Sequence, residues 1–255
     1  MTPVLVFDIE TVPDIEGLRK LNDLGAELAA AEVAEMAFQS RRQATGNDFL
    51  PLHLHKVVAI SCALRDKSDF RVWSLGTAED SEAELVRRFF EGIDKYTPQL
   101  VSWNGGGFDL PVLHYRSLVH GIQARRYWEM GEDDREFKWN NYLSRYHTRH
   151  LDLMDLLALY QPRANAPLDD LARLIGLPGK LGMDGAQVWD AVQRGERAVH
   201  REIRLDQQQQ AAGDHRQPGR RPDHDLPRHL PRPIDRGGAL VERDQGYGQR
   251  DVRAE

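Results

Sequence analysis

Asp8 and Glu10 stand two positions apart in the run Val4-Leu5-Val6-Phe7-Asp8-Ile9-Glu10-Thr11. Carboxylates at this spacing act together only on a common side, and in an extended strand residues i and i+2 share one. Phe7 and Ile9 then face the other way. The apolar, strand-forming start of the run predicts a strand buried on both faces, with the two acids at its end. Paired like charges there are unfavourable unless a cation neutralises them. A hard divalent ion such as Mg²⁺ or Mn²⁺ suits, because it takes oxygen ligands and keeps positions for water or phosphate. The same Asp-x-Glu is also what a strand running into an acidic, solvated turn presents, so the pair needs support from the rest of the chain.

A second acid follows a glycine-rich turn, Asn104-Gly105-Gly106-Gly107-Phe108-Asp109-Leu110-Pro111. Three glycines allow backbone angles and close approaches that side chains forbid. Residues 99–103 read as a short strand before the turn, and residues 111–119 as a helix after it. Asp109 is expected as the N-cap and Pro111 in the first turn. Asn104 offers an amide and Asp109 a carboxylate near a strand's carboxyl end, where α/β sheets build sites. A plain turn with a helix cap accounts for the same residues structurally.

The elements that must position these acids form a mixed α/β order. Residues 15–42 read as one or two helices with a solvated face. Residues 56–64 and 69–75 read as a hairpin joined by a polar link at 65–68. Within 81–95, Leu85, Val86, Phe89, Phe90 and Ile93 form one apolar face of an amphipathic helix. The Trp-, Tyr- and Arg-rich stretch 125–149 is expected as a flap or substrate wall. A strand then runs into a helix at 150–157, and short helices follow at 167–174 and 185–192. His53 and His55 fall in a loop, where isolated histidines are seldom a metal pair. Asp152 is expected to support the site without binding metal, Asp155 to start a helix, and Lys180 to contact phosphate or simply be solvated.

Bulk properties narrow the function classes. The 255 residues suffice for one domain with an appendage. A net charge of −6 gives no overall basic field for nucleic acid, though a local basic groove is compatible with it. Cys62 is the single cysteine, which excludes an intramolecular disulfide and a cysteine–zinc cluster. Its apolar setting predicts a buried, inert thiol. No apolar run reaches transmembrane length and no leader pattern opens the chain, so a soluble, cytoplasmic protein without membrane association is expected.

The composition breaks near residue 201. Residues 201–255 hold 11 Arg and no Lys, 10 acidic residues, five Pro and a glutamine run at 207–210. They show almost no periodic apolar pattern, so a disordered tail is expected. The expected division is residues 1–200 as the domain and 201–255 as the tail.

Over residues 1–200 the chain resembles the DEDD 3′-5′ exonucleases, in particular predicted exonucleases related to the proofreading domain of family B DNA polymerases. Asp8-Ile9-Glu10-Thr11 is similar to the superfamily's first motif, Asp-x-Glu-Thr. The stretch from Trp103 through Asn104 and Phe108-Asp109 to Pro111 is similar to the second. The segments 55–61 and 179–189 resemble the same branch. The resemblance implies a ribonuclease H-like, mixed five-stranded sheet flanked by helices. It implies two-metal phosphodiester hydrolysis at single-stranded nucleic-acid 3′ ends, with DNA ahead of RNA. Carried over by motif, Asp8 binds both ions (Mg²⁺ or Mn²⁺), Glu10 binds one and positions the water, and Asp109 binds the second. Thr11, Trp103, Asn104 and Phe108 line the substrate cleft; either aromatic could equally serve the core, and for Trp103, next to a buried strand, a core role is the expectation.

One motif is missing. The family's third motif, Tyr-x-x-x-Asp or His-x-x-x-x-Asp, belongs just beyond residue 200, and the stretch 200–206 has neither spacing. The loss coincides with the composition break. Arg-, Pro-, Gly- and Gln-rich text without Lys is what a GC-rich gene gives in the wrong frame, so residues 201–255 read as either a disordered or a frameshifted tail. Two functions remain open: a 3′-5′ exonuclease impaired by that loss, and a vestigial nucleic-acid-binding module on the same fold.

Overall fold

The computed structural model describes residues 2–67, 69–77, 79–179 and 185–194. Lys180, the stretch 200–206 and the tail from 201 lie outside the described residues, as do the expectations placed on them.

Strand β1 (Val4–Pro13) is the middle of a five-stranded sheet in the order β3-β2-β1-β4-β5. Strands β2 (His55–Asp66) and β3 (Asp69–Ser74) form an antiparallel meander with it, while β4 (Gln99–Ser102) and β5 (His150–Asp152) run parallel to it. The hairpin is tighter than its polar link suggests, because pairing continues to Asp66 opposite Asp69.

The structure corrects two expectations for β1. The strand does not end at the acids but continues to Pro13, held by pairing with His55–Val57 across a register shift at Glu10/Thr11. Nor is it buried on both faces. Leu5, Phe7 and Ile9 lie in the core, whereas Val6 is 44% exposed and Asp8 is open. The strand therefore has an inner and an outer side by residue parity.

The inner side is covered by α3 (Glu82–Tyr96) and α4 (Asp109–His120). Ser81 caps α3 by accepting the Glu84 amide at 3.3 Å, and the five apolar residues of its face are all buried. The stretch 125–149 is not a flap along its length. Tyr127, Phe137 and Tyr142 enter the main core, and the Tyr142 hydroxyl donates to the Pro98 carbonyl at 2.5 Å. Arg149 stacks over Phe137 at 3.8 Å, so the segment's cations cover its own aromatics. Cys62 is buried, and burial pushes its thiol up to about 12.

A buried ion network without a sequence signature ties the layers together. Arg116 of α4 reaches Asp14 at 2.6 Å and both Glu82 oxygens at 2.7 and 2.5 Å. Glu82 also accepts the Val57 amide at 2.6 Å and contacts His120 at 2.8 Å. Asp14 in turn caps α1 (Ile15–Leu21), which leads to α2 (Ala30–Thr45), so residues 15–42 resolve into two helices. On the outer side of β1, α7 (Gly185–Gln193) seats Val188 and Ala191 on Val12. Among the described residues, no helix is long and apolar enough to cross a membrane.

Candidate active site

Asp109 is the first residue of α4 rather than its N-cap; Phe108 holds the cap position without a side-chain bond. The Asp109 carboxylate is turned to β1 instead, where Oδ1 accepts the Ile9 amide at 3.1 Å. Ile9 lies between Asp8 and Glu10, so one hydrogen bond joins the two sequence motifs across 100 residues. Burial pushes the Asp109 carboxyl up to about 7; the nearby Asp8 charge adds to the rise, the Ile9 amide opposes it, and Asp152 adds more. The charge on Asp8 is thus felt at Asp109. Glu10 is half-buried on the same face of β1 as Asp8, by the register Asp8–Ser61 and Glu10–Ala59. Among the described residues, no group of three or more His, Cys, Asp or Glu is arranged to hold a metal ion.

The glycine turn is organised by Asp152 at the end of β5. Its Oδ1 accepts the Asn104 amide at 2.9 Å and its Oδ2 the Gly106 amide at 2.9 Å. The same carboxylate caps α5 (Leu153–Leu157) through the Met154 amide at 3.1 Å. Beneath the turn, His150 Nε2 meets Ser102 Oγ at 2.8 Å. Asn104 is left-handed (φ 60°), and a Cβ on Gly105 would fall 2.3 Å from Ser102 Oγ, so a side chain is excluded there. Asn104 is exposed, with its backbone carbonyl accepting the Gly107 and Phe108 amides. Against the core role expected for Trp103, that residue is half-buried and is not among those packed on the main core, whereas Phe108 packs partly against it.

His55 is no metal ligand in this arrangement, since both ring nitrogens are engaged. Nε2 meets the Leu50 carbonyl at 3.1 Å, which requires a proton on Nε2. Nδ1 is then bare in the neutral ring and accepts the Thr11 hydroxyl at 2.9 Å. Burial holds the His55 pKa below its ordinary value, favouring that neutral form. His53 meets Tyr115 edge-on at 5.9 Å instead. His55 also stands edge-on to Phe108 at 5.3 Å, and Phe49 lies 5.8 Å from Phe108. Phe49 is 52% exposed, an aromatic beside the site that sequence reading missed. Its only sequence signal is a large apolar residue in a polar loop. Asp155 lies in the first turn of α5, where a helix-start acid is expected.

Residues 47–204 match the family described as "Predicted 3'-5' exonuclease related to the exonuclease domain of PolB". The match takes in the glycine turn and Asp109 but not Asp8 or Glu10, and it stops where the composition breaks. The catalytic polypeptide of DNA polymerase epsilon from Saccharomyces cerevisiae is 44% identical over 45 residues, 17% of this chain and 2% of that protein. Two solved structures each align with 80% of this chain and 42% of their own. One is E. coli exonuclease I in complex with a 5cy-dT13 oligonucleotide (TM-score 0.38, 13% identity), the other an ExoI/SSB-Ct complex (TM-score 0.40, 12% identity). The chain therefore spans less than half the length of each of these proteins.

Proposed function

Because this chain belongs to the family of predicted 3′-5′ exonucleases related to the exonuclease domain of PolB, a DEDD group with a ribonuclease H-like fold, we propose that it hydrolyses phosphodiester bonds stepwise from single-stranded nucleic-acid 3′ ends. The observation that supports this reading is the Asp109–Ile9 hydrogen bond, which ties the second motif's acid to the backbone of the residue between the two acids of the first. Asp8, Glu10 and Asp109 are the residues that would hold two magnesium or manganese ions. The donor set fits hard cations: all three offer carboxylate oxygens, and a cation would offset both the burial of Asp109 and the repulsion from Asp8 that disfavour its charge. Bound there, such ions supply an activated water and stabilise the leaving 3′ oxygen.

The chain's own residues position the substrate. Thr11 gives its hydroxyl hydrogen to His55, so its oxygen remains an acceptor suited to the hydroxyl of a terminal sugar. Phe108, with Phe49 beside it, offers ring faces to the terminal base, since stacking tolerates any base. Trp103 and Asn104 line the approach, and Asp152 holds the glycine turn along which a backbone can come close.

End-labelled oligonucleotides with Mg²⁺ or Mn²⁺ test the reading. Products should shorten one nucleotide at a time from the 3′ side, and a circular single strand should stay intact. Internal fragments from the circle would point to an endonuclease on the same fold.

The second reading, a vestigial nucleic-acid-binding module, draws on the absence of a three-ligand cluster among the described residues and of the third motif in the sequence. It predicts binding of 3′ ends with no metal-dependent shortening. Reading the gene around codon 200 in all three frames would reveal whether a Tyr- or His-containing acidic motif was lost.

A further inference from the structure

A second aromatic cluster is assembled from the segment that precedes β5 and the residues that follow α5. The short helix α5 closes with two consecutive left-handed residues, Leu159 (φ 50°) and Tyr160 (φ 59°). The Tyr160 amide returns to the Asp155 carbonyl at 2.7 Å and the Leu159 amide to Leu156 at 3.1 Å. Neither residue is glycine, and each left-handed residue costs about 1–2 kcal/mol, so the bend must be held by its surroundings. It brings the Tyr160 ring to Tyr146, 4.9 Å between centroids at 61°. The Arg145 guanidinium lies 5.3 Å from the Tyr160 ring and 5.9 Å from the Tyr146 ring. Asp155 fixes Arg145 in place with an ion pair of 2.7 Å. Yet the cluster is not a core: Tyr146 is 69% exposed.

We infer that Tyr146, Tyr160 and Arg145 form a second nucleic-acid subsite, which stacks unpaired bases of the strand whose 3′ end lies at Asp8 and Asp109. This rests on the proposed exonuclease reading. Tyrosine faces and guanidinium planes stack on any base, and such platforms characterise grooves for single strands. Because Asp155 neutralises Arg145, the cluster contributes planes rather than a phosphate counter-charge. Its place is also right. Asp155, in the first turn of α5, lies three residues after Asp152, which ends the strand two removed from β1, and two strand spacings are about 10 Å. That is the length of about three stacked nucleotides at ~3.4 Å each. The subsite therefore takes bases behind the terminal nucleotide, and a longer strand binds better than a short one.

Fluorescence anisotropy of labelled oligothymidylates with free 3′ ends, on the full chain with Ca²⁺ replacing Mg²⁺ to hold back cleavage, tests this. The wild type should bind an octanucleotide more tightly than a trinucleotide. Tyr146→Ala/Tyr160→Ala should weaken the octanucleotide by about 5- to 100-fold, from stacking worth about 1–3 kcal/mol per base, and leave the trinucleotide unchanged. Tyr146→Phe/Tyr160→Phe should retain the wild-type preference, since stacking needs rings and not hydroxyls. The loss should be the same at about 50 and 200 mM salt, because no phosphate contact is removed. An alanine variant that keeps the octanucleotide affinity overturns the subsite. So does a phenylalanine variant that loses as much as alanine, or a loss that scales with salt. A wild type that binds neither length removes the exonuclease reading as well, which separates the two failures.

Discussion

The two sides of β1 differ sharply over Leu5–Ile9. Leu5, Phe7 and Ile9 are buried under α3 and α4, while Val6 is nearly half exposed and Asp8 is open. Neighbouring residues on one strand thus belong to different environments, one that holds the molecule together and one where the proposed function puts its ligand. Parity separates buried from exposed residues over Leu5–Ile9, until α7 covers Val12 on the outer side.

Substitutions along β1 can break that comparison. Asp8→Ala should have the largest effect on activity: loss of ion-borne charge stabilisation worth several kcal/mol lowers nuclease turnover by about a thousandfold. Its thermal midpoint should hold or rise, because a charge facing Asp109 is removed. A variant that unfolds would mean Asp8 serves structure. Its neighbour Phe7→Ala should do the reverse, costing about 3–5 kcal/mol of stability in a denaturant titration. If folding survives intact, the inner side is not the core it is taken to be.

Smaller effects sharpen the picture. Asp152→Asn weakens the bonds to the Asn104 and Gly106 amides, and turnover should fall by about 10- to 100-fold, as when a group supporting a metal ligand is lost. An unchanged rate would show that the glycine turn holds itself. The covered side should also carry an acid sensitivity at His114. Burial holds its pKa down to about 4, and its Nε2 is buried without a hydrogen-bond partner. The unfolded chain, titrating near 6.5, takes up a proton that the folded chain refuses. Stability from this group is therefore whole above pH ~6.5 and declines as pH falls toward 4, by at most about 3 kcal/mol. Denaturant midpoints of the wild type and His114→Leu across that range measure it; parallel curves would exclude His114 as the cause. Val6→Thr should change stability least, by about 0.5 kcal/mol or less, as exposed positions do. A loss near that of Phe7→Ala would mean the outer side is covered in solution.

The sequence by itself determined what depends on local repetition. Period-two alternation put Asp8 and Glu10 on one side of β1, and helical periodicity named the buried face of α3 residue by residue. The two motifs and their order were legible because their chemistry requires fixed types at fixed spacing, although β1 runs past the first of them to Pro13. Only the tertiary structure decided contacts between residues far apart in the chain. Asp109 has the makings of a helix cap, and nothing local says that its carboxylate bonds Ile9 instead. Arg116, Asp14 and Glu82 carry no shared pattern, because a buried ion network needs only that three elements converge. Which side of β1 stayed open, and how the 125–149 aromatics divided between the core and the surface cluster at Tyr146, were settled by what packs against them. Burial is a property of neighbours, and neighbours across a sheet are fixed by the whole chain rather than by any stretch of it.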